Sequence, residues 1–544
     1  MENKKEQCPV NDTSHQAQND QNEKKGRISR RNFLASTAAV GAFTILPRHV
    51  LGLGQTPPSD KITLAHIGCG TQGHNELGPL VDCPDLQIVA VCDPETDGRH
   101  YVDFGMGSDS GAPSRVIDNI RGMLEMPDWR AGIDYIPGGR MVMKEVIETF
   151  YAKKRAQDKF SGVNAYADFR ELLDKEDIDA VKIMTPDHMH ATIAVAAMKK
   201  GKHVIVHKPL ANRMTESNLV IETARKMNVA TYFMPYNSYD DLSLVKAWID
   251  DGAIGTLREI HNWTNRPMWP QYQELPTDEP PIPVGFDWDL WLGPCTNRPY
   301  HPHYTHCVFR GWYDFGGGSL ADMGHYSLWA VCDTFGLDIP AFAEAYGSHA
   351  CKIVNGNAST TIVNDYSFPL AATMRFHYNA TESRGPIDLF WYDGGMRPSS
   401  IPELDEDNEV VPASGMLYVG DKGKIFGERD PRIIPQSKMD AYGGPRAPEP
   451  EPRQPRATGE RTYSIGSLPP GFDQWIEACH GGSKDTPGNF ISAEALSTMV
   501  NLGYTALRAG RKIEYDPVKV EITNYPEANQ YLTREYRKGW ELTA

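Results

Sequence analysis

Several groups of residues in this chain have types and spacings that chemistry can use. Gly68-Cys-Gly70-Thr71-Gln72-Gly73 follows the strand-forming run Ile62–Ile67 directly and opens a helix-like segment from His74 to Leu80. Asp93 closes the next apolar run, Leu86–Cys92, at the distance of about 20 residues expected of a ribose-binding acid. Gly68 allows a tight turn, Gly70 lets the backbone approach a pyrophosphate, and Gly73 lets the helix pack on its strand. The N–H groups around Thr71 and Gln72 lie at the positive end of a helix dipole, which attracts phosphate charge. Asp93 can accept hydrogen bonds from both hydroxyls of an adenine ribose and repels a 2′-phosphate, so NAD is favoured over NADP. Lys208 ends the buried run His203–Val206, where desolvation disfavours its ammonium form and lets it exchange a proton near neutral pH. Asp322 and Tyr326 are four residues apart and share one face if they lie on a helix. A phenol there can bond a substrate hydroxyl and pass a proton.

These groups need strands that end at one cleft. Ala180–Met184, His203–Val206 and Ala230–Phe233 read as strands, separated by helical segments at Ala191–Lys199 and Met214–Met227. Alternation of this kind builds a parallel sheet with helices on both faces, and ligands bind beyond the carboxyl ends of its strands. Asp93, Thr185-Pro186 and Lys208-Pro209 all fall at such ends. Residues 94 to 164 interrupt the rhythm with Gly/Ser-rich pieces and a charged helical stretch, Met141–Asp158, and read as an insertion. After about Tyr236 strand-like runs recur at Leu257–Thr264, Ala341–Gly347, Ala371–Tyr378, Ile387–Trp391 and Gly415–Gly420. They predict an α+β domain on a large, mostly antiparallel sheet. Arg432–Arg461, rich in Pro, Arg and Glu, reads as a surface loop, and Phe472–Gly481 and Ser492–Ala509 read as helices. The expected organisation is a polar N-terminus, signal and linker over 1–60, an α/β nucleotide domain of Rossmann type over 61–236, and the α+β domain over 237–544.

A 544-residue chain with 40% hydrophobic residues can bury more than one core. Its net charge of −16, with no long basic cluster after residue 61, speaks against a nucleic-acid partner. Nine cysteines without a C-x-x-C pair indicate neither a zinc site nor a disulfide framework. Arg30-Arg31 precedes a mild apolar run ending at Leu46, the pattern of a twin-arginine export signal and too weak for a membrane span. The twin-arginine route carries folded proteins, which suits a chain that must trap its nucleotide before export; the expected location is periplasmic or otherwise exported.

Gly68-x-Gly-x-x-Gly73, Thr185-Pro-Asp-His-Met-His190, Gly201-Lys-His-Val-Ile-Val-His-Lys-Pro209 and Gly316-Gly-Gly-Ser-Leu-Ala-Asp-Met-Gly-His-Tyr326 occur in the order found in Gfo/Idh/MocA oxidoreductases, which the chain resembles over nearly all of residues 61–544. Trp288-Asp-Leu-Trp-Leu-Gly-Pro294 and the terminal Tyr536-Arg-Lys-Gly-Trp540 fit the exported, glucose–fructose oxidoreductase-like branch best. The resemblance implies a Rossmann domain, a second domain whose sheet mediates homo-oligomers, and NAD(P)-dependent chemistry at a carbinol carbon of a sugar or cyclitol. It makes Lys208 the catalytic lysine. It also places Thr185, Pro186 and His190, with Lys208, on the nicotinamide side of the cofactor. Two positions depart from the family pattern. His207 stands where Glu is usual, so a neutral imidazole replaces the carboxylate beside the lysine and could itself relay protons. Tyr326 stands where His is usual, with His325 one residue earlier as a possible helper. For Thr185–His190 the competing reading is a strand-to-helix turn capped by Asp187.

The tryptophan- and histidine-rich prelude to the triple glycine reads in part as the wall of a carbohydrate site and in part as core. Asn237, Arg266, Trp291 and Tyr304 are the candidate substrate contacts. The histidine spacing matches no standard metal set. The expected function is an exported NAD-dependent oxidoreductase with a tightly held cofactor. Alternatives are a redox-neutral NAD-dependent glycosidase or lyase, and a non-catalytic sugar-binding protein.

Overall fold

In the computed structural model the residues described are 60–101, 115–133, 135–155, 160–234, 242–428, 430–445 and 467–543. The described residues belong to one unit. Arg30-Arg31, Asn237 and the expected domain boundary at 236 lie outside the described residues, as do 446–466.

Short β-branched runs build the first sheet. Its strands are β1 (Ile62–Ile67), β2 (Leu86–Cys92), β5 (Asn164–Tyr166), β6 (Ala180–Ile183), β7 (His203–His207) and β8 (Thr231–Met234). They pair in the order β5-β2-β1-β6-β7-β8, and every pairing is parallel. Alternation along β1 sends Ile62 and Leu64 into one buried layer and Ala65 and Ile67 into the other, so helices cover both faces. The order reverses between β1 and β6, and the crevice at that reversal opens beyond Ile67, Cys92 and Ile183.

The interruption after β2 is narrower than 94–164. A small hairpin of β3 (Gly98–Tyr101) and β4 (Ile136–Gly138), with the helix Arg115–Leu124, is the extra material. The helix Arg140–Lys154 instead belongs to the nucleotide fold. It buries Val142, Val146, Ile147 and Phe150 with β1 and β2 and leads into β5.

The second sheet contains β9 (Leu257–Trp263), β10 (Phe342–Gly347), β13 (Ala372–Tyr378), β14 (Ile387–Tyr392), β15 (Gly415–Gly420), β16 (Lys424–Phe426), β17 (Arg432–Ile434), β18 (Ile513–Asp516) and β19 (Glu521–Ile522). Its order is β17-β16-β15-β9-β14-β13-β10-β18-β19, antiparallel except for β14 beside β9. A separate hairpin pairs β11 (Cys351–Val354) with β12 (Ala358–Thr361). The start of the expected 432–461 loop is therefore an edge strand followed by the helix Gln436–Ala441. In β13 buried and half-buried residues alternate, which turns one sheet face inward. The late helices pack back on these cores. Phe472 and Trp475 of the helix Phe472–Cys479 join the core around β1 and Tyr232, and Glu494–Ala509, ended by Gly510 at φ +62°, packs on both Met214–Met227 and β10. No helix among the described residues is long and apolar enough to cross a membrane.

Candidate active site

One cleft of about 360 Å³ runs from the glycine turn to the lysine. At its first end lie Gly68, Gly70, Thr71, Gln72 and Asp93. Gly68 has φ +99°, and a Cβ there would stand 2.5 Å from the Met184 carbonyl; a Cβ on Gly73 would stand 2.6 Å from the Gly68 oxygen. Both positions therefore need glycine for close approach of turn, strand and helix. Gly73 lies behind the turn, not on the cleft wall. Gly70 is open except for the ring of Tyr101, which also lines the cleft and would meet an added Cβ at 2.8 Å.

Asp93 is fixed at the end of β2. Its Oδ2 accepts from Cys69 N–H at 2.7 Å and its Oδ1 from Glu95 N–H at 2.8 Å. Burial pushes its carboxyl up to about 6, against those two bonds. A carboxylate held this way keeps further lone pairs for hydroxyl donors. At the end of β6, Thr185 also faces the cleft, and its hydroxyl oxygen is buried without a partner. These features fit a dinucleotide: a backbone cradle that side chains would fill, an acid where a ribose would lie, and an unpaired hydroxyl beyond.

The second end is built from three distant segments. Lys208 follows β7, Asp322 and Tyr326 lie where a π-turn (Leu320–Gly324) runs into the helix His325–Phe335, and Arg310 comes from a 3₁₀ segment, His306–Gly311. Lys208 Nζ donates to Asp322 Oδ1 in a buried ion pair and lies 5.3 Å from the centroid of the Tyr326 ring. Burial lowers the Lys208 pKa, Asp322 opposes that shift, and Arg310 adds to it. Burial alone would raise Asp322, but Lys208, Arg310 and Arg266 hold it well below the usual carboxylate range. Lys208 thus has a carboxylate partner in Asp322, although position 207 is His. The π-turn keeps Asp322 and Tyr326 on the cleft wall together.

His207 faces a different acid. Its Nε2 lies 3.1 Å from Glu76 Oε1 and 3.4 Å from the Tyr326 hydroxyl. A carboxylate can only accept, which puts the ring proton on Nε2 and leaves the phenol oxygen as a second acceptor. Glu76 also binds Lys182 Nζ at 2.9 Å and Gln72 Nε2 at 2.8 Å. Burial would raise its carboxyl, yet Lys182 and His207 hold it well below the usual range. Sequence reasoning missed Glu76. The available signal was Lys182, a charge at the centre of an otherwise apolar strand, which demands a buried acid.

Other expected residues fall elsewhere. His325 does not line the cleft. Its Nδ1 bonds the Ala321 carbonyl at 2.8 Å, its ring packs edge-on to Phe233, and burial lowers it to about 3. His190 sits behind the wall, with Nδ1 2.6 Å from the Pro209 oxygen and Nε2 2.9 Å from the Thr185 oxygen; a neutral imidazole donates its single N–H to one of these two carbonyls. Asp187 does not cap its own turn; its Oδ2 accepts from Gly317 N–H at 3.0 Å and anchors the glycine loop to β6. Among the substrate candidates Arg266 and Trp291 line the cleft. Tyr304 instead sits in an aromatic core with Trp288, Trp312 and Phe315. Among the described residues no three His, Cys, Asp or Glu gather as metal ligands.

Residues 140–235 match the oxidoreductase family described as an NAD-binding Rossmann fold, and residues 249–339 and 487–542 match the C-terminal alpha/beta domain of that oxidoreductase family. Levoglucosan dehydrogenase of Pseudarthrobacter phenanthrenivorans is 34% identical over 121 residues, 21% of this chain and 31% of that protein. The alpha-N-acetylgalactosaminidase of Shewanella oneidensis is 36% identical over 249 residues, 42% of this chain and 44% of that protein. The chain thus spans less than half the length of either relative. Among solved structures, the WlbA dehydrogenase from Bordetella pertussis, in complex with NADH and UDP-GlcNAcA, has a TM-score of 0.45 at 13% identity, covering 84% of this chain and 99% of that one.

Proposed function

We propose, from the premise that this chain belongs to the Gfo/Idh/MocA oxidoreductase family, that it oxidises or reduces a carbinol carbon of a sugar or sugar derivative with NAD. The observation that carries this reading is the single cleft shared by the glycine turn, Asp93 and the Lys208–Asp322 pair. The turn from Gly68 to Gly73 would hold the pyrophosphate, Asp93 the adenine ribose, and Thr185 and Pro186 the nicotinamide side. NAD, when bound, supplies the hydride acceptor or donor. Lys208 takes the hydroxyl proton on oxidation and returns it on reduction, because burial lowers its pKa while Asp322 keeps the ammonium accessible. Tyr326 orients the same hydroxyl, and the Glu76–His207 pair fixes the phenol. Preference for NAD over NADP rests on the Asp93 carboxylate.

Export through the twin-arginine route with the cofactor already bound is part of the proposal and rests on Arg30-Arg31 and the following apolar run. Homo-oligomerisation through the second sheet is part of the proposal and rests on the family membership alone. Mass spectrometry of the purified full chain for NAD(H), followed by a sugar screen read as nicotinamide absorbance, tests the main reading. No bound or bindable nucleotide would refute it and favour a sugar-binding protein. A second reading, redox-neutral cleavage of a glycoside, is favoured by the similarity to the alpha-N-acetylgalactosaminidase. Aglycone release without added NAD and without net absorbance change would select it.

A further inference from the structure

We propose that the substrate carries a carboxylate, and that Arg266 and Arg310 recognise it; this rests on the sugar oxidoreductase reading above. Three cations meet at the chemical end of the cleft: Lys208, Arg266 and Arg310. Asp322 is shared among all three. Its Oδ1 takes the Lys208 bond and lies 3.2 Å from Arg310 Nε, and its Oδ2 lies 3.7 Å from Arg266 Nε. Asp187, just behind, brings its Oδ1 within 3.9 Å of Arg310 Nη2, and that oxygen has no hydrogen-bond partner. With Lys208 in its ammonium form, three positive charges among the described residues at this end thus face two negative ones. Burial lowers the pKa of His207 there, so the ring adds no compensating charge of either sign. Glu76 is already matched to Lys182.

A neutral sugar would leave that excess in a low-dielectric wall, which is costly, whereas an anion would offset it. The excess is one unit. It matches a monoanionic carboxylate better than a phosphate, which carries about −1.5 to −2 at neutral pH. Guanidinium forks also suit a planar carboxylate, which two parallel N–H groups can hold. Arg266 and Arg310 converge from separate segments on the acid that pairs with Lys208, so a carboxylate between them sets the neighbouring carbinol beside Nζ. The class that fits is a sugar acid or uronoside with its reacting hydroxyl close to the carboxyl group.

The test uses full-length protein loaded with NAD and matched pairs of hexose and hexuronate, glucose with glucuronate and galactose with galacturonate, free and as methyl glycosides. Nicotinamide absorbance gives kcat/KM, and calorimetry with the same holoprotein gives binding. At least one acid should exceed its neutral partner by about tenfold or more, the worth of one charge-assisted contact. R266Q should remove about tenfold of that preference and R266K should keep part of it. R310Q should do the same, and the better exposed Arg266 serves if R310Q fails to fold. Neutral sugars preferred or equal throughout, no binding of any acid, or R266Q weakening both partners equally would overturn the inference. Acids that bind in an Arg266-dependent way without absorbance change would sustain it while removing the oxidoreductase reading. Turnover of neutral sugars alone would do the reverse.

Discussion

The two ends of the cleft are built on opposite principles. The nucleotide end is contiguous in sequence, made of backbone, and shaped by what is missing: no side chain fits at Gly68 or Gly73. The chemical end is made of charged side chains brought from Lys208, Arg266, Arg310 and Asp322, over a hundred residues apart at the extremes. Local rules decide the first end and tertiary packing decides the second. The consequence is that the first end can be read from spacing, whereas the charge balance of the second exists only after folding.

Substitutions should separate the ends in proportion to what each supplies. The largest effect is expected at Lys208: K208M should lower kcat/KM by about 10²–10⁴-fold, the usual worth of a positioned acid–base group, while NAD affinity measured by calorimetry stays within a few-fold. Loss of NAD binding in K208M would mean the two ends are not separable. D322N comes next, at about 10²-fold. It removes the influence that raises the Lys208 pKa and leaves burial and Arg310, which lower it. The limb of the pH–rate profile that reports the free amine should therefore move to lower pH; a limb that stays or moves up would contradict the assignment. At the nucleotide end, G68A forces an alanine to φ +99° against the Met184 carbonyl, at a cost of about 1–3 kcal/mol seen as a lower Tm and NAD binding weakened by about tenfold. The smallest effect is expected at Asp93. D93S should shift the NAD to NADP affinity ratio by about tenfold toward NADP, one hydrogen bond to a charged acceptor, with kcat on saturating cofactor little changed. An unchanged ratio would remove Asp93 from the ribose.

What sequence could supply follows the same division. The strand ends at Asp93, Thr185 and Lys208 were legible because apolar runs and glycine spacing are local. The helix Arg140–Lys154 was misplaced because the hairpin of β3 and β4 separates it from β2, the strand it covers. Arg432–Ile434 reads as loop in the sequence because an edge strand of three residues bounded by prolines has little β signature of its own. His325 was adjacent to the right residues in sequence, yet the helix turns it into the core against Phe233. Glu76 and Arg310 carry no local signal, since their roles depend on Lys182, His207 and Asp322 arriving from other elements. Arg266 is a candidate substrate contact from sequence and lines the cleft, but its partner Asp322 arrives from another element.

The central claim is that one dinucleotide lies across both ends. A crystal structure of the full chain grown with NAD tests it most directly. The account predicts pyrophosphate density on the turn from Gly68 to Gly73 and the nicotinamide ring beside Lys208 and Thr185. Density elsewhere, or a Lys208 ammonium turned away from the ring, would contradict it.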